Sequence, residues 1–86
     1  MKEIFIDGAM LKDREKAYLY LFDVLGRAFG RNLDALYDVL TDLADTEIVF
    51  ENTSAVLENL GDYGEKMLRC FSDAGKDSSM LKVIFK

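Results

Sequence analysis

Three aspartates, Asp34, Asp38 and Asp42, recur four residues apart in this chain. If the segment is a helix opening at Asn32, the three carboxylates share one face. Like charges at that spacing repel by roughly 0.2–0.5 kcal/mol per pair. The opposite face carries Leu33, Leu36, Val39, Leu40 and Leu43. Three uses fit such a stripe: a solvated helix face, a negative surface offered to a positively charged partner, or carboxylate ligands for a hard cation such as Mg²⁺. Spacing alone favours the solvated face, and two aspartates one turn apart are too common to specify a metal. The helix dipole then separates the three. Asp34 falls in the first turn, where negative charge is favoured, whereas Asp38 and Asp42 lie nearer the negative end. The dipole leaves Asp38 unexplained, so the functional reading is stronger there than at Asp34.

Few other side chains bear chemistry. Tyr37 sits between two of the aspartates and beside the apolar stripe; it reads equally as a half-buried helix tyrosine and as an interface aromatic. Phe29, next to Gly30, reads first as an anchor under a loop and second as a contact for a partner. Asp73 lies near the end of a later helix, an unfavourable place for a negative charge, and reads as exposed. The single cysteine, Cys70, falls by period on an inner face with Met67 and Phe71. With no histidine in the chain to activate it, it reads as a buried, inert thiol. The same absence removes the commonest general base and metal ligand. Residues 26–30 lack the dinucleotide-binding glycine pattern and follow a helix rather than a strand. No catalytic triad, phosphate loop or zinc site is present.

The elements that must hold these residues follow from periodicity. Residues 2–7 alternate Ile4 and Ile6 with charged neighbours and read as a strand ended by Gly8. Asp13 is a plausible N-cap for a helix over 14–25, with Ala17, Leu21, Phe22 and Leu25 inward and Gly26 as its left-handed end. A short loop over 27–31 leads into the acidic helix, about 33–43. Residues 47–51 form a β-branched strand. Thr53 and Ser54 can cap a short helix through about 60. Gly61 and Gly64 flank a turn, and Asp62 and Glu65 have the spacing of a capping box. A helix follows to about Ala74, ended by Gly75, and residues 80–85 form the last strand. Strands separated by helical crossovers imply a parallel sheet. The expected fold is therefore α/β, three parallel strands covered by about four helices, in a single domain over 1–86.

Composition bounds the rest. Half of the 86 residues are apolar and 31% are charged, with a net charge of −5. A chain of this size buries only about 60–65% of its unfolded surface, and this composition supplies a core. The negative charge argues against nucleic-acid backbone and anionic membrane as partners and favours either a basic partner or solubility alone. A lone cysteine forms no internal disulfide, which points to a reducing compartment, and residues 1–8 do not read as a signal peptide.

The stretch Phe29-Gly30-Arg31-Asn32-Leu33-Asp34-Ala35-Leu36-Tyr37-Asp38-Val39-Leu40-Thr41 resembles the signature of the barstar family, intracellular inhibitors of secreted ribonucleases. The family pattern there is an aromatic, Gly, any residue, Asn-Leu-Asp-Ala-Leu, an aromatic, Asp, any residue, Leu, Thr. The flanks agree in layout, including Phe71-Ser72-Asp73-Ala74. The resemblance implies a barstar-like fold over the whole chain. It also implies inhibition by charge mimicry, with the loop and acidic helix plugging a ribonuclease active site and carboxylates standing where substrate phosphates would. By resemblance Asp38 is the central carboxylate and Asp34 a second. Asp73 replaces a glutamate, Tyr37 matches an interface tryptophan, and Gly30 and Asn32 shape the loop. Beside the pattern, the chain has Ala28 where a well-studied member of the family has a tyrosine, and Asp42-Leu43 where that member has Gly-Trp. Asp42 is outside the pattern.

The expectation is a non-enzymatic, cytoplasmic inhibitor of a basic, barnase-like extracellular ribonuclease, bound 1:1 without cofactor or metal. Its partner-binding residues are Phe29, Gly30, Asn32, Asp34, Tyr37, Asp38 and Asp73. The alternative is a module of the same fold that regulates a different basic protein. A third reading is a small metal-dependent hydrolase. The identity of the ribonuclease is not legible in the chain.

Overall fold

A computed structural model describes residues 1–86. Strand β1 spans Lys2–Asp7 and is followed by a 3-10 turn over Gly8–Met10. Helices α1 (Arg14–Leu25) and α2 (Leu33–Asp42) lead to β2 (Thr46–Glu51). Helices α3 (Thr53–Leu60) and α4 (Asp62–Asp77) lead to β3 (Leu81–Phe85). The strands form one sheet in the order β1-β2-β3. Both pairings are parallel, with Ile4 beside Ile48 and Ile48 beside Val83. The fold is the expected α/β architecture of three parallel strands and four helices. No helix is long and apolar enough to cross a membrane.

The topology decides where the helices go. Each crossover steps one strand in the same direction across the sheet. Parallel crossovers are right-handed in nearly all proteins, so both helical pairs fall on one face. Burial agrees. Ile4, Ile6, Ile48, Phe50 and Leu81 join the helix residues Leu21, Leu36, Leu40, Met67 and Phe71 in one core cluster, whereas Val49 of β2 lies outside it.

Local signals set most boundaries. The Asp13 carboxylate accepts from the Lys16 N–H at 2.8 Å, and Gly26 ends α1 with φ 78°. Four expectations need correction, all in the second half. Thr53 and Ser54 do not cap α3. Asn52 holds the cap position at φ 55°, and the Thr53 hydroxyl donates to the Lys86 carbonyl at 3.3 Å. The Asn52 amide donates instead to Asp7 at 2.8 Å, tying the end of β2 to the end of β1. Asp62 forms no capping box: the chain turns at Gly61 alone, and α4 starts at once without a side-chain cap. Gly64 lies inside α4 rather than in a turn, and a Cβ there would stand 2.5 Å from the Val56 carbonyl oxygen. Its bareness permits α3 and α4 to approach. Gly75 does not end α4, which runs on to Asp77; a Cβ at Gly75 would meet Val83 of β3 at 3.1 Å. Both glycines are spacers for tertiary contact, a role that mimics turn chemistry in sequence.

Candidate functional site

The aspartates of α2 are positioned from the loop that precedes it. Phe29 turns inward and packs edge-on against Phe22 at 4.7 Å and Tyr18 at 6.1 Å between ring centroids. Such pairs add about 0.5–1.5 kcal/mol beyond the area they bury. Tyr18 is itself fully buried, its hydroxyl 2.6 Å from that of Tyr63, and burial pushes its phenol upward. The loop is thus pinned to the core by an aromatic cluster, the anchoring role expected first for Phe29. Gly30 is exposed, and a Cβ there would meet the Asn32 amide at 3.0 Å and Ala35 at 3.2 Å. Asn32 caps α2, its side-chain oxygen accepting from the Ala35 N–H at 2.7 Å. A cap of this kind contributes about 1 kcal/mol. It also sets the residue at which α2 begins, and hence the rotation of every later side chain.

That rotation buries Leu36, Val39 and Leu40 against the core and leaves Asp34, Asp38 and Asp42 exposed. The three do not remain equivalent. Asp42 pairs with Arg27 at 3.1 Å across the start of the loop. None of the six ion pairs in the protein involves Asp34, Asp38 or Asp73. The second loop arginine, Arg31, turns back to Glu15 at 3.5 Å and toward the ring of Phe22. Both cations that flank the loop are therefore drawn to other carboxylates, and Asp34 and Asp38 face solvent unneutralised.

Helix α4 packs beside α2 and brings Asp73 to the same surface. A shallow recess of about 220 Å³ between them is lined by Leu33, Asp34, Tyr37, Cys70 and Asp73, with Lys66 and Arg69 at its margin. It gathers Asp34, Tyr37 and Asp73 of the expected residues. Asp38 stands outside it, one turn further along α2, and Phe29, Gly30 and Asn32 lie in or beside the loop. Burial first, and then the charges of Asp73 and Asp34, push the Cys70 thiol up to about 11. Its Sγ donates to the Leu33 carbonyl at 3.6 Å. A buried, protonated thiol is no nucleophile at neutral pH.

Sequence reasoning missed Asp77. It is the last residue of α4, and its carboxylate accepts from the Tyr37 hydroxyl. That hydrogen bond, followed by burial and the charges of Asp77 and Asp73, raises the Tyr37 phenol above its ordinary value. The bond ties α2 to α4 and holds the ring of Tyr37 half-buried between the two helices. Asp77 follows Asp73 by four residues and shares its face. A helix ended at Gly75 leaves Asp77 outside, and its partner is invisible without the packing of α2 on α4.

The arrangement presents carboxylates as acceptors for cationic donors around a half-buried tyrosine. No three acidic or cysteine side chains come close enough together to hold a metal ion. A family model described as Barstar (barnase inhibitor) matches residues 1–86, the whole chain. No curated protein matches it. The chain belongs to the barstar family.

Proposed function

We propose that this barstar-family chain inhibits a basic ribonuclease by laying the 27–31 loop, α2 and the adjoining face of α4 over its active site. The family is one of inhibitors rather than enzymes, and a ribonuclease such as barnase is the class of partner it implies. The observation that carries the mechanism is the set of unpaired carboxylates, Asp34, Asp38 and Asp73, on one surface whose neighbouring arginines are already occupied. An active site that binds RNA phosphates presents arginine, lysine or histidine donors. A carboxylate without an internal partner meets them with no ion pair to break.

In the complex, Asp38 takes the central place among those donors. Asp34 and Asp73 support it from the adjoining recess, and Tyr37 covers apolar surface beside them. Net charge −5 draws the basic enzyme in before contact. Barnase and barstar are themselves a standard example of such steering. Desolvated carboxylates then form charge-assisted hydrogen bonds, each contributing about 1.5–3 kcal/mol. The complex is 1:1, the enzyme is one of the secreted type, and the inhibitor acts in the cytoplasm.

The test is titration of a purified ribonuclease with the chain and with Asp38→Ala. Loss of one such bond weakens inhibition roughly 10- to 150-fold, and association slows as salt rises. An Asp38→Ala protein that inhibits as well as the original sinks the mechanism. Capture of a basic protein other than a nuclease, with no ribonuclease inhibited, assigns the surface to regulation of that protein instead.

A further inference from the structure

The sheet has two open edges, and they differ. In a parallel ladder alternate residues of a strand bond to one neighbour, and the residues between them point their N–H and C=O groups the other way. The Thr46 N–H donates to the Met80 carbonyl at 2.9 Å and the Lys86 N–H to the Phe50 carbonyl at 2.8 Å. These bonds fix the even-numbered residues of β3 as those joined to β2. Val83 and Phe85 therefore turn both backbone groups outward, and no other hydrogen bond of the protein reaches either N–H. At the far edge the outward N–H of Asp7 is taken by the Tyr20 hydroxyl at 2.9 Å. Phe5 of that strand stands 58% exposed on the sheet face that no helix covers, and no cavity borders β1.

The β3 edge opens into a groove instead. Helix α4 passes close to the strand where Gly75 meets Val83, and its Ser72 and Lys76 form the opposite wall. The narrow part holds about 320 Å³ beside Leu81, Val83 and Phe85. It continues past Ser72, Lys76 and Phe85 into a wider part of about 510 Å³, bounded by Thr53, Leu68, Arg69 and Asp73. In a chain of net charge −5 the groove is basic: Arg69, Lys76 and Lys82 line it against the single acid Asp73. Arg69 and Lys82 already have partners, Glu65 and Glu47. Lys76 has none, so it is the cation that selects an occupant.

We propose that this edge accepts an extended acidic segment of another protein as a fourth strand, laid beside β3 along the wall of α4. Val83 and Phe85 each offer it one N–H and one C=O, the main-chain bonds by which a strand adds to a sheet. An acidic side chain of the segment meets Lys76. An apolar one two positions away, on the same side of the strand, fills the wide part over Leu68 and Phe85. A second copy of this chain does not fit the edge. A two-fold pairing of β3 strands sets Lys76, Lys82 and Lys86 on both sides of one seam, and lysines so placed are a means by which edge strands resist self-pairing. Arg69 and Asp73 line both the groove and the recess beside Tyr37, so the two surfaces adjoin across α4.

The probe is a capped six-residue peptide of alternating valine and glutamate, titrated into the isotopically labelled full chain and followed by nuclear magnetic resonance. The expected result is a shift of the Val83 and Phe85 amide signals and of those along Ser72 to Lys76, with none at Phe5. Half-saturation falls on the order of 0.1–1 mM, as a few backbone bonds allow. Methyl groups on the valine nitrogens block one edge of the peptide, and on the glutamate nitrogens the other. One of these two methylated peptides binds and the other fails. Lys76→Glu, shown by circular dichroism to be folded, binds the parent peptide about fivefold or more weakly, and a peptide with lysine in place of glutamate does not bind. Ribonuclease takes no part in the titration, so its outcome is independent of what the α2 surface binds. Absence of binding at about 5 mM, shifts confined to another surface, or two methylated peptides that behave alike overturns the proposal. So does equal binding of the lysine peptide or indifference to Lys76→Glu.

Discussion

Helices α2 and α4 contribute to the same surface by different physical routes. In α2 the charges are three acids and no base, each placed by a cap and a helical period. In α4 four acids alternate with three bases, Lys66, Arg69 and Lys76. One of those acids, Asp77, is spent on Tyr37 of the neighbouring helix. Only Asp73 among them reaches the recess, which Lys66 and Arg69 also line. Helix α2 thus presents charge outward, and α4 mixes presentation with support. An acidic helix is not read from its composition alone; what matters is which carboxylates the fold leaves without a partner.

The contrast is sharpest in the carboxylates themselves. Asp38→Ala is expected to weaken ribonuclease binding by roughly 10- to 150-fold, one charge-assisted hydrogen bond. Asp73→Ala is expected to cost less, about tenfold, because nearby cations screen it. Isothermal titration of both variants measures the ratio, and a larger loss at Asp73 reverses the assignment of the central role.

The next test separates placement from contact. Asn32→Ala removes the α2 cap, at about 1 kcal/mol of stability. In a domain this small that lowers the thermal midpoint by about 4–8 °C. It also lets the start of α2 fray beneath Asp34. Calorimetric unfolding with no change in midpoint would show that the loop, not the cap, sets the helix.

Cys70 probes the floor between the two helices. Its thiol is pushed up to about 11 from an ordinary value near 9. Between those values the unfolded chain has lost the proton and the folded one retains it. Stability therefore falls as pH rises through that window. Urea unfolding at successive pH values shows the slope, which is shallower in Cys70→Ala. Tyr18, raised in the same direction, leaves a residual fall at the alkaline end. Equal slopes for the two proteins would place the titration elsewhere.

A smaller effect is expected across the strut. Tyr37→Phe deletes the hydroxyl bond to Asp77 and weakens binding a few-fold, with little change in midpoint because the bond is exposed. A cycle with Asp77→Asn is then non-additive. Additive losses would mean that Asp77 acts on the partner directly. The smallest effect belongs to Asp42. Its pair with Arg27 is exposed on both sides, so Asp42→Asn changes stability by no more than about 0.5 kcal/mol. It leaves inhibition close to that of the original chain.

The first half of the chain was largely legible and the second half less so. Asp13, Gly26 and Asn32 each act through the backbone of their own helix, and local rules see local bonds. The misplaced signals were Thr53, Asp62, Gly64 and Gly75. Thr53 bonds to the far terminus, and the two internal glycines make room for Val56 and Val83. Thr53, Gly64 and Gly75 each serve a residue distant in the chain, so their local meaning was overridden.

By itself the sequence determined the number and order of the elements, the parallel sheet, the acidic face of α2 and the family signature through residues 29–41. These depend on periodicity, caps and residue types that act within a few positions. Tertiary structure decided which acids stay free. It joined Arg27 to Asp42 and Arg31 to Glu15, carried α4 past Gly75 to bring Asp77 onto Tyr37, and left the face of Phe5 bare. A charge pair or a close approach between distant elements has no local signature. Its energy depends on a separation that only the packed chain sets.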